Sequence, residues 1–379
     1  MKIGLVCPYN IDLNGGVLEV ILALKAGLET RGHSVKIITP YPRNHDLEQQ
    51  EDVIFAGTST NFRTLSFTHT TSQVSSTADT EKIDAMLAEE KFDILHFHEP
   101  WMPLLSRQLL QRSTSVNIGT FHAKVPEAMM SRTIIKAVTP YLKSVMKYLH
   151  ELTAVSESAA EYAAGLTEQS ITIIPNGIDL TKYQSVHKIK KTDDSKAILF
   201  IGRLERRKGV QYLLKAYNQV AHSNPNLKLV IVGDGPERER LELLVEDLKL
   251  PNVSFLGHVS EELKLQLLNE ADLFCSPAVS GESFGIVLLE AMASGTVCVA
   301  GNNSGYIDLM QGAGAISIVN PHDSEEFGRR LNLLLQDEQI RTLWQKWAKD
   351  YVQQFNYPDI VERYEEFYQE ALKQHGHGR

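Results

Sequence analysis

Two carboxylates stand out in Gly281-Glu282-Ser283-Phe284-Gly285-Ile286-Val287-Leu288-Leu289-Glu290-Ala291-Met292. Ile286 to Leu289 and Ala291 to Ala293 leave a helix no polar face, the pattern of a helix buried nearly all round. A carboxylate in such a place is costly unless hydrogen bonds satisfy it. Glu290 therefore either caps backbone inside a core or accepts from a ligand. Ser283 is placed to cap the helix, and a helix N-terminus suits an anion. Glu282 stands eight residues before Glu290, roughly 12 Å if the whole span is helical. A ligand with hydroxyls at both ends and phosphate between them fits that span. A sugar nucleotide is such a ligand, with Glu290 accepting from two ribose hydroxyls and Glu282 from the hexose.

Other polar residues fall at the ends of apolar runs. "IGRLERRKG" (201–209) carries Arg203, Arg206, Arg207 and Lys208, cations able to neutralise a pyrophosphate without a metal. "CPYNIDLNGGV" places Gly15-Gly16 just before a helix, where phosphate can approach the backbone; a plain tight turn reads the same way. The Gly-x-Gly-x-x-Gly fingerprint is missing there, which argues against a dinucleotide cofactor. "VGDGPERE" (232–239) is a similar turn with the same two readings. "HFHEP" (96–100) and "GTFHAK" (119–124) contribute His96, His98 and His122. No carboxylate or cysteine spacing completes a metal site around them, so no metal is expected. Cys7, Cys275 and Cys298 each lie in an apolar run and read as buried thiols in a reducing compartment.

The elements that must position these residues alternate along the chain. Strand-like runs occupy 2–7, 35–39, 93–98, 116–121, 152–155 and 171–175, then 197–202, 227–233, 253–257, 272–277, 296–300 and 315–319. Many are continuous rather than alternating, as in strands covered on both faces, and helical segments between them suit parallel crossovers. The expected fold is α/β, with two doubly wound Rossmann-like domains and a cleft facing the carboxyl ends of both sheets. A first domain over 1–190, a second over 191–356 and a final helix within 357–379 that packs back on the first follow from the pattern. The polar run 187–196 reads as linker and hinge, and residues 41–80, rich in Ser and Thr, as an irregular excursion.

With 379 residues, two cores are the natural expectation. The net charge of −9 argues against nucleic acid as a partner. No apolar run has the length of a membrane span, and the start "MKIGLVCPY" enters a strand at once, so a cytoplasmic location is expected. The stretch Lys124 to Lys147 is locally basic, with Lys124, Arg132, Lys136, Lys143 and Lys147 against Glu127. It would suit peripheral contact with anionic membrane on the inner face, as two short helices broken at Pro140; a solvated helix pair on the first domain is the plainer reading.

At this point the sequence resembles a known family. "ESFGIVLLE" (282–290) is similar to the Glu–seven residues–Glu motif of retaining glycosyltransferases of family 4, which have the two-domain GT-B fold. "CPYNIDLNGGV", "FDILHFHEP", "TFH", "IPNGID" and "SGESFGIVLLE" resemble bacterial phosphatidylinositol mannosyltransferases in particular, across essentially the whole chain. The resemblance implies that a nucleotide diphosphate sugar, GDP- or UDP-linked, is the substrate and that no cofactor or metal is needed. It implies that Gly16 packs against the donor diphosphate and that Arg203 and Lys208 bind it. Glu290 would hold the ribose and Glu282 the transferred sugar, with Ser283, Phe284 and Gly285 in the same donor loop and the amides of Phe284 and Gly285 offered to the ligand. His122 would sit over the reacting sugar, so His122, Glu282, Arg203 and Lys208 are the expected catalytic set. Tyr9, Asp12 and Lys124 would lie on the acceptor side. The leaving diphosphate itself would help to deprotonate the acceptor on the same face.

The chain departs from that pattern in places. Ala123-Lys124 replace small hydroxyl residues, the acidic "STADTEKIDAMLAEE" (76–90) replaces a basic amphipathic helix, and "HVSEE" differs near the base pocket. The expected activity is transfer of mannose or glucose to a lipid-linked acceptor such as phosphatidylinositol. A soluble inositol phosphate or glycan acceptor is the alternative within the same chemistry, and a non-catalytic sugar-nucleotide-binding module the alternative outside it.

Overall fold

Runs of Val, Ile, Leu and Phe that are apolar on both faces build two separate parallel sheets. A computed structural model describes residues 1–10, 15–41, 51–62, 72–75, 79–102, 104–123, 132–184 and 195–376, without the side chains of 58–62, 72–75 and 132–137. The chain divides into Met1–Gly177 with Tyr357–Arg379, and Ile178–Asn356.

In the first unit the order is β1 (Lys2–Val6), α1 (Gly16–Thr30), β2 (Ser34–Tyr41), β3 (Val53–Phe62), β4 (Ser72–Ser75), α2 (Thr80–Glu90), β5 (Ile94–His98), α3 (Leu105–Arg112), β6 (Val116–Phe121), α4 (Arg132–Met146), β7 (Glu151–Ala154), α5 (Glu157–Ala164) and β8 (Ile171–Ile173). The sheet runs β4-β3-β2-β1-β5-β6-β7-β8, and all pairs are parallel except β3 with β4. The order reverses between β1 and β5. Ligands in open α/β sheets bind at such a reversal, beyond the carboxyl ends of the strands. Tyr9 follows β1, and His98-Glu99 end β5, so both stand at that point.

The second unit follows the same plan. It contains α6 (Leu180–Gln184), β9 (Lys196–Ile201), a 3₁₀ turn Arg206–Lys208, α7 (Val210–Ala221), β10 (Leu227–Val232), α8 (Arg238–Asp247), β11 (Val253–Gly257), α9 (Glu261–Glu270), β12 (Leu273–Ser276), α10 (Ile286–Ala293), β13 (Val297–Gly301), α11 (Ser304–Leu309), a 3₁₀ turn Gly312–Ser317, β14 (Ile318–Val319), α12 (Ser324–Gln336) and α13 (Glu338–Tyr351). Its sheet is wholly parallel, β11-β10-β9-β12-β13-β14, and reverses between β9 and β12. Arg203 to Lys208 follow β9 and Glu282 follows β12, again at the reversal.

The last helix, α14 (Tyr357–His375), belongs to the first unit. Ile360, Val361, Tyr364, Tyr368 and Ala371 recur at helical spacing and are buried in its core with Ile21, Leu24 and Leu28 of α1. A Cβ on Gly27 would lie 2.4 Å from Val361 Cγ2, so glycine is what lets α14 approach α1. Glu365 accepts from His33 at 2.9 Å and from Arg31, which anchors the helix edge.

Several expectations change. The first unit ends at Gly177 rather than at residue 190, because Tyr183 on α6 is buried in the second unit. Most of the expected linker, 185–194, lies outside the described residues. Residues 53–62 and 72–75 are strands rather than irregular excursion: Val53, Ile54 and Phe55 extend the sheet in register with Ile37, Ile38 and Thr39. The run 315–319 is strand only at Ile318–Val319, since Gly312 to Ser317 form a 3₁₀ turn. Pro140 does not break α4. The lost N–H costs the helix about 3 kcal/mol, and burial of Leu142, Val145 and Met146 opposes that loss. All three cysteines are buried free thiols, as expected. Among the described residues no helix is long and apolar enough to cross a membrane.

Tyr364 is 1% exposed. Tyr364→Ala is expected to cost the first unit about 3–5 kcal/mol. Urea unfolding followed by fluorescence and by hydrogen exchange within β1 and β6 checks this; unchanged exchange there would refute the role given to α14.

Candidate active site

In the second unit the loop after β9 is packed onto the loop after β12. Gly209 has φ +75°, and a Cβ there would lie 2.0 Å from the Pro277 carbonyl oxygen, so only glycine closes this turn. Val279 N–H donates to the Arg207 carbonyl at 2.9 Å, which ties the two loops together.

The side chains of the two loops form one chain of charges. Arg203 meets Glu205 at 3.0 Å, and the other Glu205 oxygen accepts from Arg207 at 2.8 Å. Arg207 reaches on to Glu282 at 2.6 Å, and Lys208 reaches the same Oε1 at 2.8 Å. Three cations face two carboxylates, so the cluster keeps a net +1. Burial pushes the Glu282 carboxyl up, but the charges of Lys208 and Arg207 outweigh it and hold the group below the usual carboxylate range. Burial likewise opposes the Arg207 charge, and Glu282 and Glu205 more than restore it. Arg203 is the most exposed of the cations, at 45%.

The backbone of this site is backed by α11. Asn303 caps α11 through Tyr306 N–H at 3.1 Å and donates to the Ala278 carbonyl at 2.9 Å. A Cβ on Gly305 would lie 2.4 Å from the Glu282 carbonyl oxygen, so α11 presses directly on the turn that carries Glu282. The Tyr306 hydroxyl bonds Ser276 at 2.8 Å.

Helix α10 begins only at Ile286, capped by Gly285 at φ +109°. Ser283 is therefore not its N-cap, and the 12 Å helical rise does not apply, because residues 282–285 form a turn. A left-handed cap favours glycine, and a Cβ there would meet the Tyr306 ring at 2.9 Å. Among the described residues, the N–H groups of Phe284 and Gly285 have no backbone acceptor. Glu290 lies in the second turn, 8% exposed. Among the described residues its carboxylate caps no backbone: Tyr183 donates to its Oε1 at 3.1 Å and Lys264 at 2.8 Å.

The first unit holds a buried histidine cluster. His98 Nδ1 and His122 Nε2 are 2.8 Å apart, and the rings stack at 5.0 Å. His96 stacks on His98 at 4.2 Å and hydrogen-bonds Tyr368 at 2.6 Å and Thr120 at 2.5 Å. Glu99, at φ +52°, accepts the backbone N–H of His122 at 2.8 Å. Burial pushes His96 and His122 down to about 3 and His98 well below its ordinary value. Burial pushes Glu99 up to about 8, against the amides of His122 and Ala123 and the Trp101 side chain. Burial, then the Glu99 and Cys7 charges, push the Tyr9 hydroxyl well up, so Tyr9 shares this pocket of charge-averse groups.

Gly15 and Gly16 are exposed at the start of α1, and a Cβ on Gly15 would meet nothing within 4 Å. Asp12 and Lys124 lie outside the described residues. The structure thus gathers Arg203, Lys208 and Glu282 into one cluster, with Ser283, Phe284 and Gly285 leading from it to Glu290; His122 and Tyr9 stand in the first unit. Among the described residues no group of three His, Cys, Asp or Glu is arranged to hold a metal. Sequence reasoning named Arg207 among the cations of 201–209 but not in the site set, and did not single out Glu205, Lys264 or Tyr183. Arg207 sat in a recognised charge run, and its four-residue spacing from Arg203 was the available signal. Lys264 and Tyr183 carried none.

Comparison with known proteins bears on the family and the fold. The family described as glycosyltransferase family 4 matches residues 14–182, and that described as glycosyl transferases group 1 matches residues 182–351. A phosphatidyl-myo-inositol mannosyltransferase of Mycolicibacterium smegmatis is 30% identical over 94% of this chain and 90% of its own. Among solved structures, a sucrose-phosphate synthase of Thermosynechococcus elongatus is 21% identical with a TM-score of 0.78, covering 98% of this chain and 99% of its own. Anabaena HepE, solved with UDP and glucose, is 20% identical with a TM-score of 0.75, over 98% and 100%. These likenesses carry the two-domain GT-B fold expected from the sequence.

The buried histidines set a pH dependence. Their folded values lie below the ordinary 6.5, so their contribution to stability is present above pH 6.5 and is lost as pH falls toward 3. Glu99 acts oppositely: its folded value of about 8 exceeds the ordinary 4.5, so stability declines as pH rises between them. At pH 5 unfolding should take up about two protons net at these four groups. Urea stability measured from pH 4 to 8 checks this, and a flat profile below pH 6.5 would contradict the buried neutral rings.

Proposed function

Since the chain belongs to glycosyltransferase family 4, we propose that it moves a hexose, mannose or glucose, from a GDP- or UDP-linked sugar to a lipid-linked acceptor of the phosphatidylinositol kind, with retention and without a metal. The observation that carries the donor reading is the cluster Arg203, Arg207 and Lys208 around Glu282, one turn before a helix whose buried Glu290 is the next acidic group. Cations and free helix amides together form a diphosphate site, and a carboxylate on either side accepts from hydroxyls.

In the reaction the bond between the anomeric carbon and the β-phosphate oxygen breaks. The acceptor hydroxyl bonds the same carbon from the same face, and its proton passes to the departing phosphate oxygen. Arg203, Arg207 and Lys208 stabilise the charge growing on the diphosphate. Their charge also supports the metal-independent reading. Glu282 is held ionised by Lys208 and Arg207, so it acts as an acceptor toward the sugar hydroxyls and not as an acid. Glu290 Oε1 already takes two donors, and its carboxylate orients the ribose. The first unit is assigned the acceptor, through Tyr9, Asp12 and Lys124, with Gly16 toward the diphosphate and His122 toward the sugar.

A soluble polyol acceptor is the second reading, and one observation favours it. Leu142, Val145 and Met146 of α4 are buried in the first unit, which leaves Lys143, Lys147 and Tyr148 exposed at that end and little apolar surface for lipid. The acidic helix α2 is spent in part on Lys2, Lys36 and Arg112. The cytoplasmic, membrane-peripheral location belongs with the lipid reading.

Glu290→Ala and Lys208→Ala are each expected to weaken UDP or GDP binding by about 1.5–3 kcal/mol, the range of a hydrogen bond to a charged group. Titration calorimetry in EDTA measures this, and wild-type turnover in the same buffer tests the metal. Unchanged binding in both variants would reject the donor site; activity lost to chelator and restored by Mg²⁺ would reject metal independence. Flotation with anionic liposomes at low salt separates the two acceptors: recovery with the vesicles is expected, and protein left in solution moves the soluble acceptor to first place.

A further inference from the structure

The mechanism above uses His122 but neither of the groups that hold it. His122 is gripped twice from the end of β5: His98 bonds its ring at 2.8 Å, and Glu99 accepts its backbone N–H at 2.8 Å. His98 is fully buried, and its other nitrogen, Nε2, has no hydrogen-bond partner among the described residues. His122 Nδ1 also takes no hydrogen bond among the described residues, but it is not among the buried atoms left without a partner. The transfer reading assigns this nitrogen to the ligand.

Burial keeps both rings neutral, so each carries one proton. The short contact between them needs a donor on one side and an acceptor on the other. If His122 donated from Nε2, His98 would have to keep its own proton on Nε2, as a buried N–H facing no acceptor. Such orphaned donors are the rarer and costlier defect in folded proteins. If His98 donates from Nδ1, only a lone pair is left unpaired. We propose that His98 is a positioning residue that fixes His122 as the Nδ1–H tautomer, so that His122 presents a hydrogen-bond donor, and no base, to the transferred sugar. His96 supports the arrangement by stacking on His98 while its own nitrogens are held by Tyr368 and Thr120.

The assignment of a ligand to His122 rests on the transfer reading; the tautomer does not, and the experiment separates them. In full-length protein with ¹⁵N-labelled histidine, assigned with His122→Gln, His122 should show a protonated Nδ1 and an unprotonated Nε2. His98→Asn keeps a donor at the place of Nδ1 and should preserve both the shifts and turnover. His98→Leu removes it, and should mix the tautomers and lower kcat at least roughly tenfold with donor KM changed less than about threefold. A wild-type His122 protonated on Nε2 overturns the proposal, whatever the activity. So does a His98→Leu variant with unaltered shifts. Should His98→Leu fail to fold, the wild-type and His98→Asn spectra decide. A wild type that transfers no sugar to any acceptor defeats the transfer reading, and the shifts still decide this one.

Discussion

A charge taken out of water must be paired or given up, and both halves of this protein are organised by that constraint. The second unit pairs. Glu282 is nearly enclosed, and burial pushes its carboxyl up; with Lys208 and Arg207 on one of its oxygens it is held below the usual range. Glu205, 4% exposed, lies between Arg203 and Arg207 and pairs with both. The loops must therefore stay in contact; glycine at 209 removes the side chain that would force them apart, and glycine at 305 lets α11 press on the Glu282 turn. The first unit gives charge up. His96, His98 and His122 are held neutral, and Glu99 is pushed toward its protonated form.

The placing of both clusters follows from the sheets. A doubly wound sheet opens at the strand pair where its order reverses, and there the following loops diverge. In the second unit these are β9 and β12, which supply the cations and Glu282; in the first they are β1 and β5, which supply Tyr9 and His98-Glu99. The residues that meet at each cluster are far apart in the chain and close only because of strand order.

That separation explains what could be read from the sequence. Most of the strand-like runs were recognisable nearly whole because parallel strands covered on both faces are continuously apolar; 171–175 is strand only to Ile173, and the last run shrank because Gly312 and Gly314 favoured a turn. Glu282 and Glu290 were conspicuous as charges in an apolar run, and Arg203 and Lys208 as charges at a strand end. Lys264 and Tyr183 could not be found, since each becomes notable only by touching Glu290 across 26 and 107 residues. Strand β3 was missed because Thr58, Ser59, Thr60 and Asn61 read as loop, although threonine suits a sheet. The chain boundary was misplaced for a similar reason: Tyr183 looks like any aromatic residue near a polar run until its hydroxyl is seen on Glu290.

The contrast between the units bears on how a glycosyl group can be moved. A general base near neutral pH needs a group whose proton affinity is matched to water, and a desolvated histidine with a value near 3 is a poor one. Glu282 has the charge of a base, but Lys208 and Arg207 hold it below the usual carboxylate range, which makes it a weak one. Glu99 is inaccessible. In the proposed transfer the proton of the acceptor hydroxyl goes instead to the atom that gains charge as the bond breaks, the β-phosphate oxygen of the donor. The cations of the second unit, three against two carboxylates, are where the charge growing on that phosphate would be stabilised.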